Sequence, residues 1–398
     1  MTQQIIKRRS RGFICVNAHP EGCRRNVERW VAGVRGKVHA GARAPKNVLV
    51  VGASTGYGLA SRIAAAWGCN ANTLGIFFER EPEGDKTATA GYYNTAAFHE
   101  LAARDGLFAE SLNGDAFSDE IKRRAAEIIR AQMAPLDLVI YSLASPKRTD
   151  PRNGQVYNSV LKPVGQAYTN RTIELDTEKV VSVTLAPASE KEIADTVAVM
   201  GGDDWRRWMD MLQQEKLLAA GARSVAYSYI GPEITWPIYR DGTIGQAKKD
   251  LETAARDLDA ALRNALGGGA WISVNKAVVT QASAAIPVVP LYLSLLPRVM
   301  KKKNLDEGPL EQMRRLFTDF LCAERPVGLD DARRIRLDDR EMRADVQAEV
   351  AELWPQVTTE NLRTVTDFAG FQQEFRALFG FEIDGVDYDQ PVETDFRW

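Results

Sequence analysis

Histidine and cysteine are scarce in this chain, and long apolar runs are missing. There are four cysteines among 398 residues, at positions 15, 23, 69 and 322. They are too sparse for a disulfide framework, which suits a reducing compartment and makes cytoplasm the expected location. Cys15, His19 and Cys23 are evenly spaced, as a metal site would need. His39 is the nearest further histidine, and no Cys-x-x-Cys pair occurs, so small buried thiols are the simpler expectation. Pro287 and Pro290 break the longest apolar stretch, Ala284 to Leu296. It falls short of the ~20 residues that span a bilayer, so no stable membrane insertion is expected. A net charge of -2 removes any general electrostatic case for nucleic acid. The basic group Lys7, Arg8, Arg9 and Arg11 precedes a short apolar strand without a signal-peptide core, and reads as an exposed charged strand or hairpin.

What is present is a globular composition, 45% hydrophobic, with enough apolar residues for a large core. Residues 1–46 read as an N-terminal elaboration, with a strand over Gly12–Asn17 and a helix over Asn26–Val34. Val48 to Val51 then form a buried strand. It runs into Gly52-Ala-Ser-Thr-Gly-Tyr-Gly58, and an Ala-rich helix follows. Gly52 permits the tight turn, Gly56 lets the backbone approach a pyrophosphate, and Gly58 lets the helix pack close to the strand. The helix N-terminus supplies free N–H groups for phosphate. A second strand, Thr73 to Phe78, ends at Glu79, about twenty residues beyond the turn, where an acid reads a ribose 2′-hydroxyl. That favours NADH over NADPH, although Arg80 beside it is able to accommodate a 2′-phosphate. Strands over Phe108–Asn113 and Leu136–Ser142 follow, separated by helices. Asp115, after the third strand, is placed for an adenine contact.

This rhythm gives an α/β chain: a Rossmann-type, doubly wound parallel sheet with helices on both faces. Residues 147–179 look irregular and open an insertion over about 147–220, with a strand at Val180–Leu185 and helices over Glu190–Met200 and Asp203–Ala219. Core strands resume at Arg223–Tyr229 and Ala270–Asn275, around a helix over Ile244–Leu266. The apolar stretch Ala282 to Met300 reads either as a cover lining an acyl pocket or as a buried helical hairpin. Lys301, Lys302 and Lys303 read as a solvated helix end, or as a lure for an acidic carrier protein or coenzyme A phosphates. Helices over Leu310–Leu321, Arg340–Leu353 and Phe371–Phe379 close the chain. The whole is expected to be a single enlarged domain, its core over 47–280 and its covering helices over 281–398.

Between the last two core strands lies the segment Tyr227 to Lys249. Tyr239 is followed nine positions later by Lys248, across the loop Gly242–Gly245. A phenol gives up a proton readily only when its charged form is stabilised, and a nearby ammonium does this. Tyrosine alone is commonly a core residue with its hydroxyl bonded; the upstream nucleotide turn favours the catalytic role. Tyr229 is a second phenol that could bond a substrate carbonyl or be structural. The histidines at 19, 39 and 99 are distant in sequence.

The glycine turn with a Tyr/Lys pair is a feature of the short-chain dehydrogenase/reductases, but the spacing here is wider than usual there. That spacing, the chain length, Ala18-His-Pro-x-Gly-Cys23, and Tyr229-x-Gly-Pro-x-x-Thr-x-Pro-Ile-Tyr239 resemble the FabV-type trans-2-enoyl-CoA/acyl carrier protein reductases. The resemblance covers essentially the whole chain. It implies a monomeric enzyme that reduces the 2,3-double bond of enoyl thioesters, carried on acyl carrier protein or CoA, with NADH. It further implies that Gly52, Ala53, Ser54, Thr55, Gly56, Tyr57, Phe78, Glu79, Asp115, Ala116, Leu143, Ala144, Val278, Val279 and Thr280 hold NADH. Tyr239 would be the proton donor, Lys248 would bind the cofactor and Tyr229 would contact substrate. Two other readings remain open: a keto/alcohol oxidoreductase using the same pair, and a nucleotide-binding sensor without turnover.

Overall fold

The computed structural model describes residues 3–11, 14–38, 40–284, 286–324 and 328–396. Helix α1 (Pro20–Val34) has proline at its first turn, where a missing N–H is harmless. The expected strand there is reduced to Ile14–Cys15, paired with Ser10–Arg11; its Gly12–Phe13 start and His39 lie outside the described residues. Strand β1 (Asn47–Val51) leads through the glycine turn into α2 (Gly56–Ile63). Then come β2 (Asn72–Phe77), α3 (Ala90–Arg104), β3 (Ala109–Asn113), α4 (Asp119–Ile128) and β4 (Leu136–Tyr141). Past the insertion lie α5 (Glu190–Met200), α6 (Asp203–Gln214), β5 (Leu218–Ser228), α7 (Thr243–Leu266) and β6 (Gly269–Val274). The chain continues through α8 (Val289–Lys302), α9 (Pro309–Arg315), β7 (Ile335–Arg336), α10 (Ala344–Leu353) and α11 (Phe368–Ala377).

The seven strands form one parallel sheet in the order β7-β6-β5-β4-β1-β2-β3. Sequence reverses direction across the sheet between β1 and β4. Open α/β sheets bind ligands at such a switch point, beyond the strand C-termini. The two-residue period of a strand divides the core. Val48, Val50, Leu138 and Ile140 pack under α1, α2, α3 and α9, while Leu49, Val51, Val139 and Tyr141 pack under α4, α6 and α7.

Four expectations change. Residues 147–179 are not irregular: Lys147–Thr149 pairs with Val156–Asn158, and Tyr168–Glu174 pairs with Lys179–Leu185, both antiparallel. Their polar, solvent-facing residues hide the strand pattern, since only Ile173 of the second hairpin is fully buried. Helix α6 stops at Gln214 instead of Ala219, because Lys216 turns left-handed at φ 55° and Leu218 enters β5. Gly221, at φ 76°, lies where the register of β5 on β4 shifts. The helix expected from Arg340 starts at Ala344, and β7 was not expected at all.

Helix α8 is buried on nearly every side, against the Tyr168–Leu185 hairpin, α10 and α11. The lysine run at its end is not a free cationic patch. Lys301 pairs with Asp367 at 2.7 Å, Lys302 with Glu349 at 2.8 Å, and Lys303 with Glu349 at 3.0 Å.

Candidate active site

The glycine turn has the geometry its spacing predicts. Gly52 sits at φ 88°, and a Cβ there would meet the Ser142 carbonyl oxygen at 2.1 Å, so only glycine lets β1 turn beside the end of β4. A Cβ on Gly58 would meet the Gly52 oxygen at 1.8 Å, which fixes how closely α2 approaches the turn. Gly56 is also left-handed, at φ 52°, with open space where its side chain would be. Thr55 is exposed at the N-cap of α2, whose first amides face that space unpaired by nature of a helix end.

Around this turn the other cofactor candidates gather. Ser54 donates to Glu79 Oε1 at 2.6 Å, and Asn113 Oδ1 accepts from the Glu79 amide at 2.9 Å. These bonds hold the carboxylate against the turn. Phe78 beside it is 77% exposed, an apolar ring with no protein cover. Burial of such a ring needs a flat partner, and an adenine provides one. Asp115 closes a tight turn by accepting from the Phe117 amide at 3.0 Å, and Ala116 is buried. Lys122, in a buried pair with Asp204 at 2.7 Å, also donates to the Ala116 carbonyl at 2.7 Å and so anchors this turn. Leu143 and the exposed Ala144 follow β4 directly. Tyr57 differs from its neighbours. Its hydroxyl donates to the Lys276 carbonyl at 2.8 Å and lies 3.0 Å from Gln312 Oε1, so its side chain braces the loop after β6 and only its amide remains for a phosphate. Val278, Val279 and Thr280 continue that loop. The residues present therefore fit a nicotinamide dinucleotide laid across the C-terminal edge of the sheet.

Tyr229 and Tyr239 meet edge to face, with ring centroids 4.9 Å apart. The turn Glu233–Thr235 brings them together, and the Tyr239 amide donates to the Thr235 carbonyl at 2.9 Å. Lys248, on α7, is half-buried and donates to the Tyr227 carbonyl at 3.2 Å. Lys249, by contrast, is exposed and reaches Gln246 at 3.5 Å. The expectation that the ammonium lowers the tyrosine is reversed in the free chain. Burial, followed by the Glu341 carboxylate, pushes Tyr239 well above its ordinary value. Lys248 is itself lowered to about 8 by desolvation. The phenol is thus held protonated at neutral pH, as a proton donor must be.

Sequence reasoning missed Glu341, which is completely buried and accepts from the Tyr229 hydroxyl at 3.0 Å. It lies in a charged stretch, Asp338-Asp-Arg-Glu341, that carries no sign of burial. Cys15 and Cys23 are buried free thiols. His19 Nδ1 accepts from the Gly22 amide at 3.1 Å and caps α1. His99 lies 2.8 Å from Ser111 Oγ, beneath the sheet.

The chain matches the profile of the family described as trans-2-enoyl-CoA reductase catalytic region over residues 86–322. Residues 5–84 match the NAD(P)H binding domain of trans-2-enoyl-CoA reductase, and residues 329–392 match a region described as the enoyl reductase FAD binding domain. It is similar to the enoyl-[acyl-carrier-protein] reductase [NADH] of Coxiella burnetii, with 53% identity over 98% of this chain and 96% of the relative. The protein of that name from Opitutus terrae is 54% identical over 98% of each chain. Among solved structures, Treponema denticola trans-2-enoyl-CoA reductase in complex with NAD superposes at a TM-score of 0.95, with 46% identity, over 99% of this chain and 100% of that one. The Clostridium acetobutulicum trans-2-enoyl-CoA reductase in complex with NADH gives 0.95, with 40% identity, over 98% of each. A flavin does not fit the residues present at 329–392. Among those described, no strand runs into a glycine-rich helix turn, and a Cβ on Gly380 would meet the His19 carbonyl oxygen at 2.5 Å, leaving that glycine packed and not open. With the nucleotide turn, the Tyr/Lys segment and the full-length matches in agreement, this chain belongs to the FabV-type trans-2-enoyl-CoA/enoyl-[acyl-carrier-protein] reductase family.

Proposed function

We propose that this protein reduces the 2,3-double bond of trans-2-enoyl thioesters with NADH, giving saturated acyl thioesters for fatty acid synthesis. The observation that carries the reading is Tyr239. Its hydroxyl has no hydrogen-bond partner among the described residues, it is held protonated, and it lies in the same segment as the half-buried Lys248. Bound NADH supplies the hydride that the substrate β-carbon receives. Negative charge then builds on the thioester oxygen, and the enolate needs a donor and a proton. Tyr239 provides both. Lys248 stabilises the phenolate that remains and holds the cofactor from the α7 side. Glu79, fixed at the mouth of the turn, repels a 2′-phosphate and favours NADH. Tyr229 borders the substrate, and the apolar wall of Val279, Ile286, Val288 and α8 next to Tyr239 suits an acyl chain. The C-terminal stretch contributes β7 to the main sheet, and Gln3–Gln4 pairs with Val392–Glu393, which supports one enlarged domain. A monomer in the cytoplasm completes the proposal, and size-exclusion mass measurement tests the monomer.

The decisive assay is NADH absorbance loss with crotonyl-CoA and with a long-chain 2-enoyl-CoA, comparing the wild-type protein with Tyr239→Phe. Turnover in the wild type, a fall of about a hundredfold or more in kcat for the variant, and unchanged NADH binding are expected. Oxidation of NADH by a ketone but by neither thioester would make this a carbonyl reductase. Tight NADH binding without turnover on any of these would make it a sensor.

A further inference from the structure

Glu341 ties together the C-terminal ends of three neighbouring strands. Three donors close on its carboxylate. The Tyr292 hydroxyl from α8 donates to Oε1 at 2.7 Å, and the Tyr229 hydroxyl, just beyond β5, donates to the same oxygen at 3.0 Å. The Ala277 amide, just beyond β6, donates to Oε2 at 2.8 Å. Gln347 of α10 supports the cluster from behind, donating to the Glu341 carbonyl at 2.6 Å and lying 3.2 Å from the Tyr292 hydroxyl. An ionised carboxylate only accepts, so a set of three donors matches its charged form. Burial raises the Glu341 carboxyl above its ordinary value, and the Tyr292 bond, the Ala277 amide and the Lys276 ammonium pull against that rise. The core of α8 and α10 beside it is apolar, and a buried charge is costly unless its bonds serve an arrangement.

A phenol has one proton to give. Tyr229 commits its proton to Glu341, whereas the Tyr239 hydroxyl, on the ring packed against it, has no partner among the described residues. We propose that Glu341 is a positioning residue for the reduction. It holds the Tyr229 phenol and the Ala277 amide on one carboxylate, which sets the substrate-side tyrosine pair against the cofactor-side loop. It also leaves Tyr239 as the phenol with a proton free for the substrate. The proposal rests on the enoyl reductase reading. It adds that Tyr229 meets the substrate only through its ring and oxygen lone pairs, and that the pairing of the two halves of the site depends on a residue reached after β7.

The test compares Glu341→Gln, Tyr229→Phe and the double variant, with kcat and KM for crotonyl-CoA, the NADH dissociation constant from fluorescence, and thermal unfolding. Glutamine keeps the size but offers one acceptor oxygen in place of two. The expected result is a fall in kcat of about ten- to a hundredfold in Glu341→Gln, the scale of a lost supporting bond. NADH binding weakens because the Ala277 loop is released. The double variant falls no further than the more impaired single variant, because Glu341 acts through Tyr229. Tyr292→Phe, which removes a donor from the same oxygen and keeps the Tyr229–Glu341 bond, gives a smaller fall and serves if Glu341→Gln does not fold. A folded Glu341→Gln within twofold of wild type in kcat would overturn the proposal, and so would losses that multiply in the double variant. These outcomes leave wild-type turnover intact; a wild-type protein inert toward enoyl thioesters would instead remove the reductase reading itself.

Discussion

Lys248 donates to the Tyr227 carbonyl, and desolvation lowers it to about 8. If the ammonium stabilises the Tyr239 phenolate, kcat falls as pH rises through about 8, and a kcat–pH profile of wild type against Lys248→Met shows that limb only in the wild type. Stability moves in the other direction. The unfolded lysine keeps its proton up to its ordinary value of 10.5, while the folded one releases it near 8, so between those values the unfolded state binds more protons. Unfolding free energy therefore gains from this residue as pH rises across that window, and Lys248→Met loses the gain in urea titrations at its two ends. Glu79 gives a second prediction at this scale. Removing its charge with Glu79→Gln is expected to improve kcat/KM for NADPH relative to NADH by about tenfold, since a carboxylate against a phosphate is worth about 1.4 kcal/mol or more in a half-buried site. The same ratio in both proteins would show that Glu79 does not read the ribose. Tyr239, Lys248 and Glu79 could be proposed from spacing, because each lies at a fixed offset on consecutive elements of a regular fold. Glu341 could not, because its partners come from two strand ends and a helix, and it sits among other charges.

At the scale of the element, the turn from β1 into α2 is the most constrained. Gly58→Ala adds a methyl group 1.8 Å from the Gly52 oxygen, so the helix has to shift away from the turn. We expect NADH affinity to fall at least tenfold in a fluorescence titration, with a loss of about 1–3 kcal/mol in stability from overpacking. Unchanged affinity would mean that the helix N-terminus does not hold the pyrophosphate. This element was fully legible: strand, glycines and helix follow one another within twelve residues, Asn47 to Gly58. The hairpins at 147–185 were legible only in their last strand, since the other three bury little and are largely polar.

Across the whole molecule, the two halves of the chain close on one sheet. Ile335, completely buried on the edge strand β7, packs in the same core as Val48, Leu138 and Trp271. Ile335→Ala is expected to cost about 2–5 kcal/mol, read from the urea midpoint. A loss below about 1 kcal/mol would mean that β7 is a passive edge. What the sequence determined by itself is the doubly wound order through β6 and the nucleotide turn. These depend on period-two apolar runs, on glycines at fixed offsets, and on residues close along the chain. What only the tertiary structure decided is the placement of β7, the neutralisation of Lys301–Lys303 by the C-terminal helices, and the burial of Glu341 between Tyr229, Tyr292 and Ala277. The physical reason is common to all three. A two-residue strand, an ion pair and a buried carboxylate take their meaning from groups tens to hundreds of residues away, and no local pattern encodes those partners.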